Sequence, residues 1–147
     1  MTEKWGTAHI KVSHAPLKRA PVVLRLPFPP SVNNLFITAR NGKRVISPDY
    51  REWRANAENC IVQQGRPRIN GRVNVIMEFE DKPGRHDIDN LCKGPLDTLV
   101  HMFVIDADDS KVVRRLTVSW SDKPGCTVTI TANEEPWIQR RNMARKA

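Results

Sequence analysis

Two spacings of apolar residues organise this 147-residue chain. Period-two alternation marks residues 72–80, RVNVIMEFE, where Val73, Val75, Met77 and Phe79 take one side and mostly polar neighbours the other. A strand with one buried face reads this way. Residues 21–28, PVVLRLPF, are a proline-bounded Val/Leu run and form a second strand. Residues 112–120, VVRRLTVSW, and 125–132, GCTVTITA, make two more, and the turn-forming SDKPG between them predicts that they pair as a hairpin. Spacings of three and four mark residues 47–66, where Tyr50, Trp53, Ala57, Cys60 and Ile61 line one face of a helix. Ser47 suits its N-cap, Pro48 its first turn, Asp49 the positive end of its dipole, and Gly65 its end. A second helix covers residues 96–103, with Leu96, Leu99, Val100 and Phe103 on one face. Pro95 allows two beginnings: near Gly94 with the proline in the first turn, or near Asn90 with a bend. Residues 29–36, PPSVNNLF, are irregular. In residues 37–46, Asn41-Gly42 between β-capable arms predicts a type I′ hairpin.

The order of elements is strands, helix, strand, helix, strands. That is an α+β fold, with a mixed or antiparallel sheet and helices packed on one face. Residues 21–132 form the folded domain, residues 1–20 an N-terminal extension, and residues 133–147 a tail whose Arg140, Arg141, Arg145 and Lys146 are basic. No run reaches the roughly 18 apolar residues of a membrane span, and the first twenty residues lack the apolar core of a secretory leader. The expectation is a soluble, cytoplasmic protein. Three cysteines, Cys60, Cys92 and Cys126, with no C-x-x-C pair, fit reduced thiols and give no zinc spacing.

Charge changes the picture. The net charge is +8, but residues 78–109 hold nine acids against three bases, a local −6. The rest holds 21 bases and 7 acids, a +14 that suits a polyanionic partner. Six aspartates, Asp87, Asp89, Asp97, Asp106, Asp108 and Asp109, crowd into 23 positions of that acidic window. Carboxylates repel phosphates unless a cation stands between them.

Asp87 and Asp89 end the loop after one strand; Asp108 and Asp109 precede another, with a helix between. A strand–helix–strand path returns the chain beside its start, so the two pairs can meet at one sheet edge. Converging carboxylate oxygens with open positions suit Mg²⁺, which polarises a phosphate and activates water. Lys93 can stabilise charge on the phosphate or leaving oxygen. Bland readings stay open: Asp-x-Asp can cap a helix, and Asp108-Asp109 can make a turn. His101 reads as an ordinary helix residue. An EF-hand is excluded, because Cys92 or Lys111 falls where its glycine belongs. Nucleotide-binding and hydrolase glycine motifs are missing.

HDIDNLCKGPLDTLVHMFVIDADDSKV resembles the signature of the RusA family of Holliday junction resolvases, common in phages and prophages. The likeness rests on Asp87-Ile88-Asp89-Asn90, Lys93, Asp97-Thr98-Leu99 and Asp108-Asp109-Ser110-Lys111-Val112, with PFPPSVNNLF upstream similar to the family's P-P-S-x-N element. It spans residues 21–132. It implies an endodeoxyribonuclease that resolves four-way DNA junctions as a homodimer using Mg²⁺, with Mn²⁺ able to substitute. The resemblance makes Asp87, Asp89, Asp109 and Lys93 catalytic, with the three aspartates as metal ligands and Asp108 as an alternative to Asp109. It implies DNA contacts from Asn33, Asn34, Arg85 and Asn90. The extra Asp106 and a longer gap before Asp108 depart from the pattern. Two other readings remain: a non-catalytic DNA-binding module, and a Mg²⁺ nuclease for other branched DNA.

Overall fold

The computed structural model describes residues 20–135. All of the N-terminal extension but Ala20, and most of the basic tail, therefore lie outside the described residues. In chain order the elements are β1 (Val22–Leu26), β2 (Phe36–Thr38), β3 (Arg44–Ile46), α1 (Pro48–Gln63), β4 (Val73–Glu80), α2 (Lys93–His101), β5 (Val113–Ser121) and β6 (Cys126–Ala132). Single 3-10 turns occupy Val32–Asn34 and Ile88–Leu91.

Four strands form a mixed sheet in the order β1-β6-β4-β5. β4 pairs antiparallel with β6 and parallel with β5. Alternation does its work on β4: Val73, Val75, Met77 and Phe79 are fully buried while Ile76 is exposed. Leu24, Val128 and Ile130 continue that face on β1 and β6, and Tyr50, Trp53, Ala57 and Ile61 of α1 close over it with Leu91 and Leu99. The α+β class, the mixed sheet and the one-sided helices are as the sequence implies.

Ser47 caps α1 as expected, its Oγ accepting from the Tyr50 N–H at 3.1 Å, with Pro48 in the first turn. The far end of α1 is sealed to the sheet edge. Gln64 donates to the Arg25 carbonyl at 2.9 Å and accepts its N–H at 2.8 Å, satisfying backbone groups that an edge strand leaves open.

Three expectations are corrected. β5 and β6 do not pair; β4 lies between them. The SDKPG segment hops over the end of β4, where Lys123 meets Glu78 at 3.0 Å and the Gly125 N–H donates to Glu80 at 3.0 Å. Two strand spacings are only about 10 Å, which five residues span as easily as they make a tight turn. Turn chemistry alone does not separate the two outcomes.

The 36–46 hairpin forms, but its turn is not type I′. Gly42 has φ +79°, and Asn41 is not in the left-handed region. The Gly42 N–H donates to the Ala39 carbonyl at 2.9 Å, and the Ala39 N–H donates to the Lys43 carbonyl at 2.8 Å. This is a type I turn with a left-handed glycine behind it, the common three-residue loop.

α2 starts at Lys93 with Pro95 in its first turn, the first of the two options above. It ends before Phe103, whose φ of +58° turns the chain and leaves the ring 69 % exposed instead of on the buried face.

Candidate active site

The site gathers around the N-terminus of α2. Trp53 and Tyr50 of α1 pack there, and a β-carbon on Gly94 would stand 3.4 Å from Trp53 and 3.5 Å from Tyr50. The gap has room for a β-carbon and little more, so α2, which carries Lys93, seats closely on α1. Lys93 Nζ lies 2.9 Å from Asp97 Oδ1, one helical turn on, and 3.6 Å from Asp108 Oδ2. The hydrogen bond to Asp97, with the added pull of Asp108, holds the Lys93 pKa above its ordinary value despite some desolvation. Lys93 is a fixed cation throughout the neutral range.

Asp87 and Asp89 stand on the 3-10 turn just before α2. Asp87 accepts weakly from the Asn90 side chain at 3.5 Å, while its carbonyl takes the Asn90 N–H at 3.1 Å. Both aspartates are exposed and Asn90 is half-buried. Beneath them Cys92 is buried, its thiol pKa pushed up by burial and then by Asp89. Behind it Cys126 is raised to about 12, mainly by burial. These thiols are packing groups.

The loop leading to Asp87 is tied to β1's exit. The Lys82 ammonium lies 4.6 Å from the centre of the Phe28 ring, and His86 meets the same ring edge-on at 5.3 Å. Trp53 fixes the backbone there by donating to the Pro27 carbonyl at 3.0 Å. The 3-10 turn holding Asn33 and Asn34, both exposed, packs against the Ile88–Leu91 turn. That turn is anchored by Ser47 Oγ, which donates to the Asn34 carbonyl at 2.6 Å. So Asn33, Asn34, Asp87, Asp89, Asn90 and the exposed Arg85 belong to one neighbourhood.

The second acidic pair divides. Asp108 turns to Lys93. Asp109 Oδ1 accepts the Lys111 N–H at 2.9 Å, and its carbonyl takes the N–H groups of Val112 and Val113. One Asp109 oxygen is thus spent on the turn into β5. Asp106 is structural: its two oxygens accept from Arg68 at 2.7 Å and the Gly71 N–H at 2.8 Å. That accounts for the extra acid in the sequence pattern. Among the described residues, no three His, Cys, Asp or Glu side chains stand together closely enough to hold an ion. The expected meeting of the two pairs in one carboxylate cluster does not form among the described residues; of the four aspartates only Asp108 reaches Lys93, whose other partner is Asp97.

Sequence reasoning named Asp97 without giving it a task; its signal was the i,i+4 spacing from Lys93. Phe28 carried no signal, since its two contacts come from a loop over fifty residues away.

Exposed hard carboxylates around a fixed cation, on a body otherwise basic, are the equipment of a hydrolase that cuts nucleic acid. Residues 27–131 match the family model described as endodeoxyribonuclease RusA, and the chain belongs to that family. It is 33 % identical over 102 residues to the crossover junction endodeoxyribonuclease rusA of Enterobacteria phage HK97, covering 63 % of this chain and 82 % of the relative.

Proposed function

We propose that this endodeoxyribonuclease resolves four-way DNA junctions by paired nicks. The observation that supports it is the exposure of Asp87 and Asp89 on the 3-10 turn that leads into α2 at Lys93 and packs against the Asn33–Asn34 turn. The name of the phage relative, a crossover junction endodeoxyribonuclease, points to the same substrate.

The donor set fits Mg²⁺, with Mn²⁺ as a substitute. Such an ion is commonly held by one or two carboxylates, keeping waters and substrate oxygens for its other positions. Asp87 and Asp89 would hold it, with Asp109, or Asp108 in its place, as the further ligand. When bound, it supplies charge to polarise the scissile phosphate and lower the pKa of an attacking water. Lys93, kept protonated by Asp97 and Asp108, stabilises negative charge gathering on the phosphoryl or leaving oxygen. Attack in line leaves a 5′-phosphate and a 3′-hydroxyl. Asn33, Asn34, Arg85 and Asn90 contact the junction around that point.

Paired nicks on a nearly two-fold substrate call for two sites on one body, hence a homodimer. The folded unit is residues 21–132, flanked by the extension and the basic tail. Among the described residues no helix is long and apolar enough to cross a membrane, and we place the enzyme in the cytoplasm with its DNA.

The test is Asp89→Asn. It should lower metal-dependent nicking of a synthetic four-way junction by at least about a thousandfold, some 4 kcal/mol of transition-state stabilisation, while junction binding survives. A variant that cuts normally removes Asp89 from the site. Competition among junction, flap and plain duplex separates junction resolution from a broader branched-DNA nuclease, and a wild type that binds without cutting returns the chain to a binding module.

A further inference from the structure

The β2–β3 hairpin stands apart from the four-stranded sheet and has two unlike faces. Phe36 pairs with Ile46, Ile37 with Val45, and Thr38 with Arg44. Cross-strand partners share a face. Phe36 and Ile46 rest on the core, with Arg44 over the Phe36 ring at 4.5 Å. The opposite face presents Ile37, 47 % exposed, beside Val45, 37 % exposed. Residues 36–46 contain Arg40, Lys43 and Arg44 and no acid. Among the described residues no carboxylate pairs with these three cations.

The arm is firmly rooted. At its base the Ser47 N–H donates to the Leu35 carbonyl at 2.9 Å, and Leu35 is fully buried. Directly before Leu35 comes the Asn33–Asn34 turn that packs against the Ile88–Leu91 turn. A branched aliphatic pair edged by unpaired cations is therefore held next to the proposed cutting site.

We infer that Ile37 and Val45 form a wedge that enters the opened base stack at the branch point of the DNA junction, with Arg40 and Lys43 on the flanking phosphates. The inference rests on the junction reading above. Small apolar side chains inserted at a base step, beside cations on the backbone, are how proteins hold unstacked DNA. A branch point offers a step that is already cheap to open. A second copy of the chain suits this face less well: a two-fold contact would gather the cations of both arms in one interface, with no carboxylate in residues 36–46 to offset them.

Ile37→Thr with Val45→Thr tests this, because threonine keeps the strand preference while removing the apolar tip. The probe is a four-way junction carrying 2-aminopurine at the branch point, with Ca²⁺ in place of Mg²⁺. Wild type should raise the fluorescence, and the double variant should lose that rise. In Mg²⁺, junction cutting under excess plain duplex should fall about tenfold, roughly 1.4 kcal/mol of preference. Arg40→Gln with Lys43→Gln should weaken binding to junction and duplex alike and flatten the salt slope by about two contacts. A threonine variant that keeps both the fluorescence rise and the preference overturns the wedge. So does one that loses them while sedimenting at half the wild-type mass, which would assign the face to a second copy. A wild type that neither prefers nor cuts junctions fails the junction reading itself and takes this inference with it; a wild type that cuts beside an unchanged variant fails only the wedge.

Discussion

Single side chains in the acidic window serve different masters, and substitution separates them. Asp106 spends both oxygens on Arg68 and Gly71. Asp106→Ala should cost about 1 kcal/mol of stability, since the pair is partly exposed, and should leave nicking rates within about twofold once folding is allowed for. Asp108→Ala should do the reverse: little change in thermal midpoint, and a measurable loss of nicking, because Asp108 helps hold Lys93. Equal effects of both substitutions on both measurements would undo this division. Tyr50 poses a different question. Its hydroxyl is buried with no hydrogen-bond partner among the described residues, and its pKa is raised first by burial and then by Asp97. Tyr50→Phe removes an unsatisfied polar atom and keeps the ring between Phe36 and Trp53. It should therefore unfold at the same temperature as the parent or slightly higher, gaining up to about 1 kcal/mol; a clear loss in a thermal melt would show that the hydroxyl is bonded after all.

Elements carry the site's geometry. α2 approaches α1 over Gly94, and the contact distances at its β-position are ordinary van der Waals ones. Gly94→Ala should fold and cut like the parent. Gly94→Val has no room for its methyls and should lose about 1–3 kcal/mol by overpacking, together with activity, as α2 and Lys93 with it are pushed away from Asp108. The 81–87 loop has its own anchor in Phe28, gripped by Lys82 and His86. Phe28→Leu keeps apolar bulk but loses both ring contacts. The expected outcome is a higher Mg²⁺ requirement for nicking, with Phe28→Tyr restoring the wild-type requirement. An unchanged metal titration for Phe28→Leu would show that Asp87 needs no such support. Much at this scale could be read from sequence. Ser47-Pro48 gave α1 its start, and alternation gave β4 its buried face. The turn type at Asn41-Gly42 could not be read, because type I′ and a type I turn with a trailing glycine accept the same residues. The end of α2 was missed because Phe103 suits a helical apolar face until the left-handed turn takes it away.

At the scale of the whole molecule, charge separation sets behaviour toward DNA. A −6 segment in a chain that is otherwise +14 favours contact with phosphates through the basic residues, and on the proposed function leaves the carboxylates to a divalent ion. Junction affinity should fall at least about a hundredfold between 50 and 200 mM salt, following release of counterions from several phosphate contacts. A salt-independent dissociation constant would remove the electrostatic account. Strand order also belongs to this scale. β5 returns parallel to β4 through α2, and β6 then takes β4's other side. That arrangement sets the Ile88–Leu91 turn against β5 and brings Lys93 to Asp108.

From its sequence alone this protein's chemical inventory was settled: the carboxylates, the lysine, the basic surround, and the local elements that carry them. Those are properties of composition and short-range periodicity, which each segment holds by itself. Only the tertiary structure decided that β4 separates β5 from β6, that Asp108 and not Asp109 reaches Lys93, that Asp106 is a structural acid, and that Phe28 anchors the loop before Asp87. Such choices depend on which distant surfaces pack together, and a short segment carries the same turn and charge signals whichever partner it meets.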